Sequence, residues 1–127
     1  MHIVILRRYQ MADIYISRKM DKGTINISEY VVASLVRSAV VETEGVAELA
    51  NAIGYEDADA GTRRIIRGVK VRFKEEAIFA DAAITVKYGV KILDVARKVQ
   101  ENVLAAIQTS TGFEEASVNV HVAGVAF

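Results

Sequence analysis

The sequence of 127 residues contains no cysteine and no proline. Without cysteine there is no disulfide framework, thiolate zinc site, iron–sulfur cluster or cysteine nucleophile. Without proline, and with glycines that stand singly, there is no linker-like tract between domains. A chain of this length is close to the commonest size of one domain, and 52% hydrophobic residues suffice for one core. We therefore expect one domain, in a reducing compartment such as the cytoplasm.

The sequence also lacks an excess of either charge and lacks a long apolar run. Its 16 basic and 16 acidic residues cancel, so no whole-chain field draws it to nucleic acid or an anionic membrane. The longest apolar run near the N-terminus extends from Ile3 to Leu6. A secretory signal needs roughly 7–15 apolar residues and a membrane-spanning helix needs about 20. We therefore expect neither a signal peptide nor direct insertion into a membrane.

The first 22 residues differ in pattern from the rest of the chain. Residues 1–10 share no pattern with the remainder of the sequence, and a segment that resembles a second start begins at Met11. We therefore divide the chain into an N-terminal extension, residues 1–22, and a single domain, residues 23–127. The first ten residues are either a mis-assigned, non-native extension or a short extra strand. The sequence leaves open whether translation starts at Met1 or at Met11.

Hydrophobic periodicity predicts one helix in each half of the domain. Ser28 is a preferred N-cap residue, and the apolar positions after it recur at helical spacing towards Gly45. A second helical pattern begins after Gly89 and stops at Gly112, because glycine commonly ends helices. The apolar positions predicted to face the core are Val31, Val32, Leu35, Val36, Ala39 and Val40 in the first helix, and Ile92, Val95, Ala96, Val99, Val103, Ala106 and Ile107 in the second.

Alternation of apolar and polar residues predicts the strands. They are expected at residues 24–27, 45–49, 69–74, 82–88 and 118–122, with a polar loop at 51–67. The order β-α-β-β-β-α-β, with one apolar face on each element, predicts an α+β fold. Its architecture is a small mixed β-sheet with two helices packed on one face. The final strand, helix and strand predict a parallel pair joined by a right-handed crossover.

Three segments carry a resemblance to a known family. They are Gly23-Thr-Ile-Asn-Ile-Ser-Glu-Tyr-Val-Val, Thr43-Glu-Gly-Val, and the stretch from Val86-Lys-Tyr-Gly-Val-Lys-Ile through Val99-Gln-Glu-Asn-Val and Thr111-Gly to Val118-Asn-Val-His-Val. In this order, over about residues 23–125, they resemble the alkaline shock protein family. That family is found mainly in Gram-positive bacteria and is linked to cell-envelope stress.

The resemblance implies a non-enzymatic cytoplasmic protein of the cell-envelope stress response. Such a protein acts through protein–protein interaction and self-association, and lies near the membrane through a membrane-anchored partner protein. No catalytic or ligand residue is defined for the family, so none is carried over to this chain. The chain departs from many members because it lacks a charged C-terminal tail.

No constellation of residues predicts a catalytic, cofactor or metal site. The two histidines are isolated, and His121 alternates with valines, which places it on the solvent face of a strand. The acidic residues Glu56, Asp57 and Asp59 do not continue into a calcium-binding loop, so we interpret them as a solvated loop. The sequence has no glycine-rich phosphate loop and no nucleophile elbow. We therefore expect no enzyme activity, no cofactor and no metal requirement.

Basic residues cluster in the middle of the chain. They are Arg63, Arg64, Arg67, Lys70, Arg72 and Lys74. The even spacing of the last three places them along one face of one strand. One interpretation is an exposed face kept soluble, or an edge protected from pairing with other sheets. The other is a surface that docks an acidic partner protein, formed by Arg64, Arg67, Lys70, Arg72 and Lys74.

A small RNA-binding α+β module that uses the basic strand around Lys70–Lys74 is the alternative function. Several RNA-binding domains combine a small sheet, helices on one face and basic residues. Such sheets stack bases on aromatic side chains, whereas this strand offers Phe73, on the face predicted to be buried. The net charge of zero also argues against it. We therefore expect protein partners, including further copies of the chain, and no nucleic acid.

Deletion of residues 1–10 is expected to leave the free energy of unfolding nearly unchanged, because their apolar run is out of phase with the strand at Thr24. Denaturant and thermal unfolding of the full chain and of a chain that begins at Met11 measure the difference. A loss of more than about 2 kcal/mol would show that the run from Ile3 to Leu6 belongs to the core, because burial of one or two aliphatic side chains contributes roughly that much.

Overall fold

The computed structural model describes residues 3–7, 14–50, 64–75 and 77–127. The elements in chain order are β1 (Ile3–Arg7), β2 (Ile14–Met20), β3 (Gly23–Ser28), α1 (Glu29–Val41), β4 (Val46–Leu49), β5 (Arg64–Ile66), β6 (Val69–Lys74), β7 (Ala77–Lys87), α2 (Ile92–Thr111) and β8 (Ala116–Ala126). The predicted α+β class is confirmed. The structure adds β1, β2 and β5 to the predicted order, and β5 takes up the end of the predicted loop.

The strands lie in two sheets rather than in one. β1, β2 and β3 form an antiparallel sheet in that order. The second sheet is built around β7, which pairs in parallel with β8 along one edge and antiparallel with β6 along the other. The predicted parallel pair and the predicted β6–β7 hairpin are therefore both confirmed.

Two short strands share the second edge of β7. β6 pairs with its first half and β4 with its second half. The partner of β7 changes from β6 to β4 at Ala83. The Ala83 N–H donates to Gly68 O, and the Ala83 carbonyl accepts from Ala50 N, each at 2.8 Å. The long strand thus keeps backbone partners on both edges where β6 gives way to β4.

Both helices cover one face of this sheet, as predicted. The side chains of β7 that face the helices are fully or almost fully buried: Ile78, Ala80, Ala82, Ile84 and Val86. Against them α1 buries Val32, Ala33, Val36, Ala39 and Val40, and α2 buries Val95, Val99, Val103 and Ile107. Val31 and Ile92, both predicted for the core, are exposed at the margins of the helices instead.

The helix ends follow the predicted signals. The Ser28 hydroxyl accepts a hydrogen bond from Val31 N at 3.2 Å, which caps the first turn of α1. α1 ends before Gly45, with Glu42 as its C-cap residue. Gly112 ends α2 in the left-handed conformation, where its N–H donates to Gln108 O.

The strand β2 contributes to the main core. Ile16 is fully buried and belongs to the same hydrophobic cluster as the helices and β7. β1 pairs with the edge of β2 that faces away from β3, so β2 separates β1 from β3. The division of the chain at residue 22 and the dispensability of residues 1–10 stay predictions.

Ile16→Ala is expected to lower the free energy of unfolding by about 2–5 kcal/mol, because it opens a cavity in a close-packed core. Ile25→Ala is the matched control: Ile25 lies on the neighbouring strand β3 and is 53% exposed, against 0% for Ile16. Denaturant unfolding measures both variants. Equal losses in the two would contradict the placement of β2 against the core.

Gly68→Ala is expected to destabilise the protein more than Gly89→Ala, although both glycines have a positive φ, of 78° and 91°. A Cβ at Gly68 would stand 2.6 Å from Ala50 O, whereas one at Gly89 meets no heavy atom of the described residues within 4 Å. The left-handed backbone costs a side chain about 1–2 kcal/mol in either variant. The difference in melting temperature between the two variants, measured by calorimetry, reports the additional clash at Gly68. Equal melting temperatures would contradict that clash.

Candidate functional site

The face of the main sheet opposite the helices carries the predicted basic strand. Val69 and Val71 of β6 point to the helices and are fully buried, so the alternating Lys70, Arg72 and Lys74 lie on the opposite face. We call this surface, with the facing residues of β7 and β8, the polar face. The predicted arrangement of the three cations along one side of one strand is therefore confirmed.

A carboxylate on β7 organises the centre of the polar face. The β6–β7 register places Asp81 directly opposite Lys70. Asp81 Oδ1 accepts a hydrogen bond from Asn119 Nδ2 at 2.9 Å and lies 3.9 Å from His121 Nε2. Because Asp81 is mostly buried and hydrogen-bonded, its carboxyl group is held in one position beside the basic strand. His121 is exposed and on the face predicted for it, since the β7–β8 register aligns it with Ala83.

An aromatic ring lies next to the central cation of the polar face. The Arg72 guanidinium carbon stands 5.2 Å from the centroid of the Phe79 ring, and the two residues are opposite each other in the β6–β7 register. Both are half-buried. This contact is a cation–π interaction, which holds the guanidinium against the sheet. The sequence interpretation missed Phe79 because it began the returning strand at Ala82, although alternation extends back to Ala77.

The other predicted docking residues lie at the margin of the polar face. The side chains of Arg67, in the turn between β5 and β6, and Lys74, at the end of β6, are exposed. Arg64 lies on β5, opposite Lys70 in the register. Arg63 and the acidic residues Glu56, Asp57 and Asp59 lie outside the described residues. The structure therefore gathers Lys70 and Arg72 with Asp81 and Phe79.

A concave surface lies between the two helices. Thr43 Oγ1 donates to Ala39 O at 2.8 Å and accepts from Asn102 Nδ2 at 2.9 Å, which ties α1 to α2. Beside this link runs an open groove of about 510 Å³, lined by Leu35, Ser38, Ala39, Glu42, Asn102, Ala105, Ala106, Thr109 and Ser110. Most of these side chains are small, and the Asn102 amide already donates to Thr43. We therefore assign the groove to helix packing.

A metal centre and a membrane-spanning helix are two further features that a chain of this size could carry. Within residues 3–7, 14–50, 64–75 and 77–127, no group of three or more histidine and carboxylate side chains is placed to hold a metal ion. In the same part of the chain, neither helix has the length and apolar character needed to cross a bilayer.

Comparison with known proteins gives the family. Residues 17–127 match the alkaline shock protein 23 family, which is described as having a cell envelope-related function. The uncharacterized protein YloU of Bacillus subtilis is 36% identical over 106 residues, which are 81% of this chain and 88% of that protein. YqhY of the same organism is 29% identical over 106 residues, 83% of this chain and 78% of that protein. Among solved structures, MamM-CTD is similar to this chain with a TM-score of 0.42 and 20% sequence identity. The similarity covers 72% of this chain and 94% of that chain.

The family match covers β3 to β8, both helices and the whole polar face, and it begins within β2. The resemblance drawn from the three sequence segments is therefore confirmed. The chain belongs to the alkaline shock protein 23 family, whose function is related to the cell envelope.

Proposed function

We propose that this protein serves its cell envelope-related function by binding other proteins and further copies of itself, and that it is not an enzyme. The polar face docks an acidic surface of a membrane-anchored partner. The protein itself is cytoplasmic and is held close to the membrane by that partner. The proposal joins the family assignment to the chemistry of the polar face.

The observation that carries the proposal is that the cations of the polar face are held in place. Lys70 and Arg72 are half-buried, Lys70 faces Asp81 across the strand pair, and Arg72 stacks over Phe79. Free lysine and arginine side chains lose rotamer entropy when a partner immobilises them, at a cost of about 0.5–1.5 kcal/mol each. Cations that are already ordered lose less. A face that merely keeps a protein soluble does not require such ordering.

Exposed apolar side chains support protein contact as well. Tyr88 and Phe127 are both largely exposed, and their ring centroids are 4.9 Å apart at the end of the β7–β8 pair. Large aromatic side chains in such positions are enriched in protein–protein interfaces.

RNA binding is the second candidate, and Phe79 is the observation that favours it. An aromatic ring beside three cations on an open sheet face is the arrangement that stacks bases in single-strand binding proteins. Against this, the Arg72 guanidinium covers the Phe79 ring, and the chain has no excess of positive charge. The same experiment separates the two candidates.

The variant that tests the proposal replaces Lys70, Arg72 and Lys74 with glutamine. Glutamine is preferred to glutamate because a carboxylate at position 70 would face Asp81 and add a like-charge repulsion to the fold. The matched control replaces Lys22, Arg37 and Lys98 with glutamine, since these cations are exposed and lie outside β6 and its neighbouring strands. Both variants change the net charge equally.

The triple glutamine variant on the polar face is expected to lose at least one protein partner that the parent and the control both retain. Affinity capture from cells, read by mass spectrometry, makes this comparison. Retention of every partner by the variant would contradict the docking role of the polar face.

The parent protein is expected to show negligible binding to a panel of single-stranded and structured RNAs at physiological salt. RNA binding at micromolar affinity would reverse the ranking of the two functions, provided that the polar-face variant abolishes it. In that case the logarithm of affinity should fall against the logarithm of salt with a slope of roughly 0.7 per phosphate contact.

A further inference from the structure

The strand β8 presents a long backbone edge without a partner strand in the described part of the chain. β8 runs from Ala116 to Ala126 and pairs with β7 along one side. Its sequence, Ala-Ser-Val-Asn-Val-His-Val-Ala-Gly-Val-Ala, contains no lysine, arginine, aspartate, glutamate or proline. Charges and prolines are the features by which proteins usually protect an edge strand from pairing. A bulge after Val122 interrupts the edge but leaves the segment from Ala116 to Val122 regular.

The direction of the backbone groups on this edge follows from the bonds on the other side. Glu115 O accepts from Ile78 N of β7 at 2.9 Å, so the odd-numbered residues of the regular segment direct their backbone groups to β7. The N–H and carbonyl groups of Val118, Val120 and Val122 therefore point outwards. Consistent with this, the carbonyl of Val118 is reached by a side chain of α2, Gln100, at 3.2 Å.

Apolar side chains flank the same edge. Gln100 bonds to Val118 O and Gln108 bonds to Glu114 O, so α2 runs alongside β8 in the opposite direction. Leu93 lies seven residues before Gln100, which is about 10 Å along the same side of the helix. This places Leu93 near the level of Val122. Leu93 is 75% exposed and Val122 is 37% exposed, so the open edge is bordered by apolar surface.

We propose that two copies of this chain join by antiparallel pairing of their β8 strands about a two-fold axis at Val120. This inference deepens the proposed function, because it assigns a surface to the self-association that the proposed function contains. In this register Val120 lies opposite Val120 of the other copy, and Val118 lies opposite Val122. All these residues direct their backbone groups outwards, so they form hydrogen-bonded pairs. The result is one continuous sheet across both copies.

A second copy fits this edge because the strand is complementary to itself. Valines stand symmetrically on either side of Val120, and the alternate face brings Asn119 opposite His121 of the other copy. Neither strand carries a lysine, arginine, aspartate or glutamate that would repel its counterpart. The exposed Leu93 side chains of both copies lie on the helix side, where each adds apolar contact. A two-fold interface needs this self-complementarity, since the same patch must serve both subunits.

Single-cysteine variants test the register directly, because the natural sequence has no cysteine and each introduced thiol is unique. Asn119→Cys and His121→Cys form a non-hydrogen-bonded pair across the proposed axis, with Cα atoms about 4.5 Å apart. That separation is within the disulfide range of about 4.4–6.8 Å. A mixture of the two variants is expected to form a disulfide-linked dimer faster than either variant by itself. Glu48→Cys, exposed on β4, is the control and is expected to remain unlinked with either variant.

The oligomeric state gives an independent reading. Val122→Lys is expected to weaken the dimer at least about tenfold, because an ammonium group would be buried against Val118 of the other copy without a counter-charge. Val41→Lys is the matched control, since Val41 is exposed on α1, and it should dimerise as the parent does. Sedimentation velocity over a range of concentrations measures both, and denaturant unfolding verifies that both variants fold.

The outcomes separate this inference from the function on which it rests. A parent dimer that survives Val122→Lys and shows no preferential 119–121 cross-link would overturn the β8 interface and leave self-association through another surface. A parent that stays monomeric at every concentration would overturn both self-association and the β8 interface. Neither result tests whether the polar face docks a partner, because the glutamine variants test that role separately.

Discussion

The strand β7 is the constraint on which the rest of the structure depends. It pairs with β6 and β4 along one edge and with β8 along the other, and one of its faces is buried beneath the helices. Its helix-facing side places two small side chains, Ala80 and Ala82, between the larger Ile78 and Ile84. The alanines leave room for the branched side chains of both helices, and close packing then fixes the position of the helices. The opposite side of the same strand supplies Phe79 and Asp81, so the register that builds the core also builds the polar face.

Much of the fold could be predicted because its elements obey simple periodicities. Alternation is clear in β6 and in the second half of β7, and helical spacing is clear in both helices. Ser28 and Gly112 mark helix ends because serine caps the first turn of a helix and glycine adopts the left-handed conformation that ends one. The strand β2 is not predicted, although Ile14 and Ile16 alternate with polar residues, because its segment resembles a second start. The sharing of one β7 edge by β4 and β6 had no local signal, since it depends on backbone bonds at Ala83 between segments distant in sequence. The exposure of Val31 and Ile92 likewise depends on where each helix meets the sheet.

The candidate site was predictable in part for the same reason. The even spacing of Lys70, Arg72 and Lys74 was sufficient to place them on one face, because side-chain alternation is a local property of a strand. Their neighbours were not predictable, since Asp81, Asn119 and His121 meet only through the parallel register of β7 and β8. Phe79 illustrates the difference: alternation could have placed it on the polar face, but its contact with Arg72 required the hairpin register. Local patterns thus predicted the charges, and tertiary pairing determined which of them are ordered.

The polar face and the β8 edge are compatible as interaction surfaces because one is a face of the sheet and the other is its edge, and Asn119 and His121 belong to both. A two-fold axis between antiparallel edge strands is perpendicular to the sheet. Corresponding faces of the two copies therefore lie on the same side of the joined sheet. Joining two copies at β8 would therefore place both sets of helices on one side and both polar faces on the other. A partner anchored in a membrane could then be bound by two polar faces at once. Because the second contact becomes intramolecular, two weak docking events would give a stronger attachment than either contact by itself. On this argument a β8 variant that abolishes dimerisation should also weaken recruitment to the partner, even though β8 contributes no cation to the polar face.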